Sequence, residues 1–86
     1  MKITFYNQNE EIGKTNDLYL YSILNINYNK FSEQERYDEI KRKLENAKMN
    51  SSEITLQDDS KFNAREIDSI EVRHHNMSKP KPFTIY

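Results

Sequence analysis

The sequence predicts an α+β domain. Its expected core is a small antiparallel sheet in the order strand-strand-helix-strand-strand, with a further strand at the C-terminal end and one amphipathic helix packed on one face. Three observations predict it. One long segment, residues 30–50, carries a helix cap, a helical charge gradient and a narrow apolar stripe. Short β-branched and aromatic runs flank it on both sides. A length of 86 residues suits a single domain.

Residues 2–6 alternate Ile3 and Phe5 against Thr4 and Tyr6, which reads as a strand. Residues 7–16 hold the only glycine, Gly13, among Asn, Gln and Glu, and read as a connecting loop. Residues 17–28 are the most apolar stretch, with Leu18, Leu20, Leu24, Ile26 and Tyr28 at even positions. Alternation is clean after Ile23, so a strand is expected here, forming a long-looped hairpin with the first. The competing helical set of Leu20, Ile23, Leu24 and Asn27 is weaker, because Tyr, Ile and Asn are mediocre helix formers.

Within residues 30–50, Ser32 and Glu35 make a capping box. Glu33, Glu35, Asp38 and Glu39 precede Lys41, Arg42, Lys43 and Lys48, which suits the helix macrodipole. Tyr37, Ile40, Leu44 and Ala47 form the apolar stripe, and Asn50-Ser51-Ser52 ends the helix. Residues 53–56 and 69–73 read as strands, separated by a turn at Asp58-Asp59-Ser60-Lys61 and by one helical turn capped by Asn63 with Glu66 as its partner. Residues 1–78 are then the compact domain. Residues 79–86, spaced by Pro80 and Pro82, are an extra edge strand or a docking tail.

Composition narrows the function. There are 13 basic and 14 acidic residues, a net charge of −1, whereas a domain devoted to neutralising phosphates usually carries a basic excess. No cysteine is present, so disulfides, thiolate nucleophiles and zinc–sulfur sites are excluded, and a cytoplasmic location is expected. No stretch approaches the ~18 apolar residues of a membrane-spanning helix, and no signal-like apolar run follows Met1. The abundance of Asn, Lys and Ile fits an AT-rich genome, such as that of a bacterium or phage.

Catalytic signatures are missing: there is no phosphate-binding glycine loop, no nucleophile elbow and no zinc-protease motif. The helix carboxylates lie on a solvated face, where nothing shifts their pKa towards acid–base work. A thin core leaves little space for a dry pocket, so no enzyme, cofactor or small-molecule substrate is expected. Adjacent His74 and His75 on a strand would point to opposite faces and would not share one metal ion.

The expectation is therefore a non-enzymatic protein-interaction module, an accessory or inhibitory protein that binds a protein partner or a second copy of itself. Tyr19, Tyr21, Phe83 and Tyr86 are the candidate anchors, because tyrosine and phenylalanine supply contact area at low entropic cost. The alternative is a nucleic-acid-binding accessory protein using Arg42, Lys43, Arg73 and Lys79 as local basic patches.

Overall fold

In the computed structural model, which describes residues 1–74 and 78–86, the chain opens with a hairpin. Strand β1 (Lys2–Asn7) pairs antiparallel with β2 (Glu10–Asn16). The link is two residues long, and both of them, Gln8 (φ 48°) and Asn9 (φ 67°), are left-handed. Such a turn twists in the same sense as the strands it joins. Residues 7–16 are therefore mostly strand and not the expected loop. The strand escaped notice because β2 lies at a sheet edge and Ile12 is its one large apolar residue. Ile12 is also the extra residue of a bulge, since Phe5 pairs with Gly13 and Tyr6 with Glu11. Gly13 serves close packing: a β-carbon there would lie 2.6 Å from Leu56 Cδ1 and 3.0 Å from Phe62 Cε1.

The expected strand at residues 17–28 is instead a helix, α1 (Asp17–Ile23). Asn16 caps it, its side-chain oxygen accepting from the Tyr19 N–H at 2.8 Å. The far end closes as a Schellman motif. The Ile26 N–H donates to the Tyr21 carbonyl (2.8 Å) and the Asn25 N–H to the Ser22 carbonyl (3.3 Å), with Asn25 left-handed at φ 57°. An asparagine at each end, together with burial of Leu20 and Tyr21, outweighs the period-2 pattern.

Helix α2 (Glu33–Met49) follows the sequence reading closely. The Ser32–Glu35 capping box is formed in both directions, and Asn50 is the C-cap. Tyr37, Ile40 and Leu44 are buried, with Ala47 half-buried beside them. This helix also ends in a Schellman motif, with Ser51 left-handed at φ 53°.

Strands β3 (Glu53–Thr55) and β4 (Lys61–Asn63) form a separate two-stranded sheet, and β4 is an element the sequence reading lacks. The turn between them contains Asp58-Asp59-Ser60, as expected, with Asp58 Oδ1 accepting from the Ser60 N–H at 3.0 Å, but Lys61 already belongs to β4, where it pairs with Thr55. Asn63 then caps a single 3-10 turn, and Glu66 returns the bond to the Asn63 N–H at 3.0 Å.

Strands β5 (Ser69–Arg73) and β6 (Lys81–Thr84) complete a four-stranded antiparallel sheet in the order β2-β1-β5-β6. β6 pairs with β5 of its own chain, and Ile85 beyond it is 2% exposed. The Ile85 N–H donates to the Asp68 carbonyl at 2.9 Å. By alternation, the amides of residues 81 and 83 face β5, and those of residues 82 and 84 face outward. Pro82 has no N–H to offer.

The molecule is thus α+β. On one face of the large sheet, Ile3, Phe5, Ile70 and Val72 are each 2% exposed or less. α2 covers the β5–β6 half of that face, bringing Tyr37 within 5.6 Å of Phe83, centroid to centroid. The β3–β4 hairpin covers the β1–β2 half through Phe62, 5.3 Å from Phe5. The opposite face, with Lys2, Thr4, Tyr6, Lys14, Glu71 and Arg73, meets solvent.

Candidate functional site

The four aromatic candidates divide into two pairs on different elements. Tyr21 is 3% exposed and lies inside, its ring stacked on Tyr28 at 5.2 Å. Its hydroxyl has no hydrogen-bond partner among the described residues, and burial raises its pKa. Tyr19 is half-buried, and its hydroxyl donates to the Thr55 carbonyl at 2.6 Å, which ties α1 to β3. Phe83 packs on Tyr37, with Lys81 Nζ 5.4 Å from its ring centroid. These three rings hold the fold together. Tyr86 differs, because its side chain is 83% exposed.

Around Tyr86 the backbone is held firmly. Lys48 Nζ donates to the Ile67 carbonyl (2.6 Å) and to the Ile85 carbonyl (2.7 Å). The Tyr86 N–H donates to Glu45 Oε2 at 3.1 Å. Lys41 Nζ lies 5.3 Å from the ring centroid. Met49, 77% exposed, shares a shallow groove with Tyr86, and Glu45, Lys48 and Arg65 form the rest of its wall. Sequence reasoning did not select Met49 or Arg65. The available signal was that Met49 falls off the stripe of Tyr37, Ile40, Leu44 and Ala47, and so had to face water.

The basic candidates also divide. Arg42 is engaged by Glu39, its Nε 3.2 Å from Oε2, and this contact lowers the Glu39 pKa. Lys43 lines a separate groove between α1, α2 and β3, together with Tyr19, Ile23 and Ile54. Arg73 lies across the molecule on the open sheet face, directly opposite Lys2 of β1. Lys14 of β2 stands diagonal to Lys2, opposite Thr4. Lys79 is exposed just before Pro80, and Pro80 borders the same region as Lys2, Lys14 and Arg73.

The carboxylates of α2 serve local structure. The Glu35 pKa is lowered because its side chain accepts the Ser32 backbone and side-chain hydrogen bonds, the reverse of what a general acid needs at neutral pH. The Tyr37 hydroxyl lies between Glu33 Oε1 (3.1 Å) and His74 Nε2. His74, just beyond β5, is therefore a half-buried link to α2. The expectation for His75 falls outside the described residues. Among those residues, no group of three or more His, Asp or Glu side chains is arranged to hold a metal ion. No described helix is long and apolar enough to cross a membrane.

Compared with protein families, curated proteins and solved structures, the chain matches none.

Proposed function

We propose that the chain is a small, non-enzymatic protein-binding module whose contact is centred on Met49 and Tyr86. One observation carries this reading: among the described residues, the two most exposed large apolar side chains share one groove. Aromatic residues, methionine and arginine are the types enriched at the centre of interfaces, and here Tyr86, Met49 and Arg65 are grouped. The bonds from Lys48 and Glu45 hold the backbone at Tyr86, so presenting the ring costs little ordering entropy on binding. The matching partner is a protein surface with an apolar pocket and charges of both signs at its rim, facing Glu45, Lys48 and Arg65. A second copy of the chain is one such partner.

The test is affinity capture with the wild type, a Met49→Ser/Tyr86→Ala variant and a Lys2→Ser/Arg73→Ser variant, alongside sedimentation of each chain alone. Truncating central anchors should weaken the contact by about 2 kcal/mol, roughly 30-fold. A protein retained by the wild type and the sheet variant, and lost with Met49 and Tyr86, supports the proposal. So does a dimer that dissociates only in the Met49/Tyr86 variant. Equal retention by all three chains, with no change in association, overturns it.

A further inference from the structure

We infer that the end of the open sheet face formed by Lys2, Lys14 and Arg73 binds the phosphate backbone of nucleic acid. The argument begins with register. Lys2 and Arg73 are direct cross-strand partners, and Lys14 is their diagonal neighbour on β2. Like charges placed directly opposite on a sheet repel and destabilise the pair. Among the described residues, neither Lys2 nor Arg73 has a carboxylate in ion-pair contact, and Lys14 has only an exposed partner, Glu11, at 3.5 Å. Such exposed pairs contribute little and exchange easily. Glu71, the nearest acid on this face by register, has Oε2 engaged by the Tyr6 hydroxyl at 3.3 Å, towards the other end of the strands. In a chain of net charge −1 the fold has gathered three cations on three adjacent strands, with Glu11 paired to Lys14 and Glu71 bordering the group as the acids beside them.

The composition of the face selects the partner. A protein interface needs a desolvated apolar centre. Among the described residues, those facing outward around these cations are Thr4, Asn16, Glu71 and Pro82, none of them a large apolar side chain. Phosphate contact needs only cations and hydrogen-bond donors, and Arg73 can grip two phosphate oxygens at once. The same three cations line a hollow on either side of the strand ends, one reaching Gln57 and Asp58 and the other Thr4, Pro80 and the Glu71 carboxylate, so that cations outnumber acids three to one in each. A phosphate chain running along the strand ends would follow that line. Of the four basic residues selected from sequence, Arg73 and Lys79 adjoin this surface, whereas Arg42 and Lys43 belong to α2 on the covered side. Among the described residues the one ring on this face, Tyr6, stands towards the other end of the strands with its hydroxyl on Glu71, so the contact is to the phosphate backbone.

Fluorescence anisotropy with a labelled 20-base-pair duplex tests this. Three phosphate contacts give a log–log salt slope of about −2.7, so affinity should fall about 40-fold between 50 and 200 mM salt. Lys2→Glu/Arg73→Glu should weaken binding at least tenfold, whereas Arg42→Glu/Lys43→Glu should change it less than twofold. Circular dichroism of each variant confirms the fold, and the wild-type salt slope stands independently of them. Absence of binding at 50 mM salt, a flat salt response, or equal loss in both double variants overturns the inference. So does poly-glutamate displacing the duplex as well as unlabelled DNA does at equal charge, which would identify the surface as a site for acidic polypeptide.

Discussion

Along β1, Ile3 and Phe5 are fully buried while Lys2, Thr4 and Tyr6 reach towards solvent, and β5 repeats the arrangement with Ile70 and Val72 against Ser69, Glu71 and Arg73. The same strands thus build two unlike faces, one residue out of step. The covered face carries the packing that holds α2 and the β3–β4 hairpin to the sheet. The open face carries charges that the fold does not need. Stability and recognition are therefore separable here, and single substitutions can address one without disturbing the other.

The largest contrast lies at neighbouring positions of β1. Phe5→Ala should cost about 3–5 kcal/mol, because it removes a fully buried ring in contact with Phe62 and leaves a cavity. Thr4→Ala, one residue away, should stay within about 0.5 kcal/mol. Urea unfolding of the two variants measures the gap, and similar losses would break the comparison.

On β2 the contrast is between Gly13 and Lys14. Gly13→Ala forces a methyl group to within 2.6 Å of Leu56, so Leu56 and Phe62 must move; the expected loss is about 1–3 kcal/mol. Lys14→Ala should barely change the urea midpoint, while reducing the salt slope of duplex binding by about 0.9, the contribution of one phosphate contact.

The smallest effect is a pH dependence. Burial and the Glu33 carboxylate push the Tyr37 pKa up to about 12, above the usual phenol value near 10. The folded state therefore holds this proton more tightly than the unfolded chain does. Its contribution to stability is complete below pH 10 and is lost as pH rises from about 10 to 12. Tyr37→Phe should begin lower at pH 7, by about 1 kcal/mol for the lost hydrogen bonds, yet show a shallower fall across that alkaline range. An unchanged slope would remove Tyr37 from the account. Tyr6, on the open face, shifts in the same direction, so Tyr6→Phe should also flatten the alkaline fall.

What was legible in the sequence follows the range of the forces involved. Helix α2 was readable because Ser32 and Glu35 satisfy each other three residues apart and the stripe lies on one helical face. The Asn63–Glu66 turn was readable for the same reason. Helix α1 was not, because its Tyr and Ile residues mimic a strand and the decision rests on Asn16, on the left-handed Asn25 and on packing against distant segments. β2 was hidden because an edge strand shows almost no apolar alternation, and its pairing is a backbone matter. The same blindness concealed the cation group. Lys2, Lys14 and Arg73 are far apart in sequence, and only the β1–β2 and β1–β5 registers bring them together. Tyr86 was selected for its chemistry, whereas its exposure and its neighbour Met49 are consequences of how α2 and β6 meet.

Pro82 on β6 has a consequence for how the molecule behaves in a crowd. A stray strand approaching that flank finds one outward amide, at Thr84, where a ladder would require several. Templated growth into fibrils is therefore disfavoured on that flank. Where the outward amide of residue 82 is restored by Pro82→Thr, thioflavin-positive aggregates should form sooner than in the parent chain.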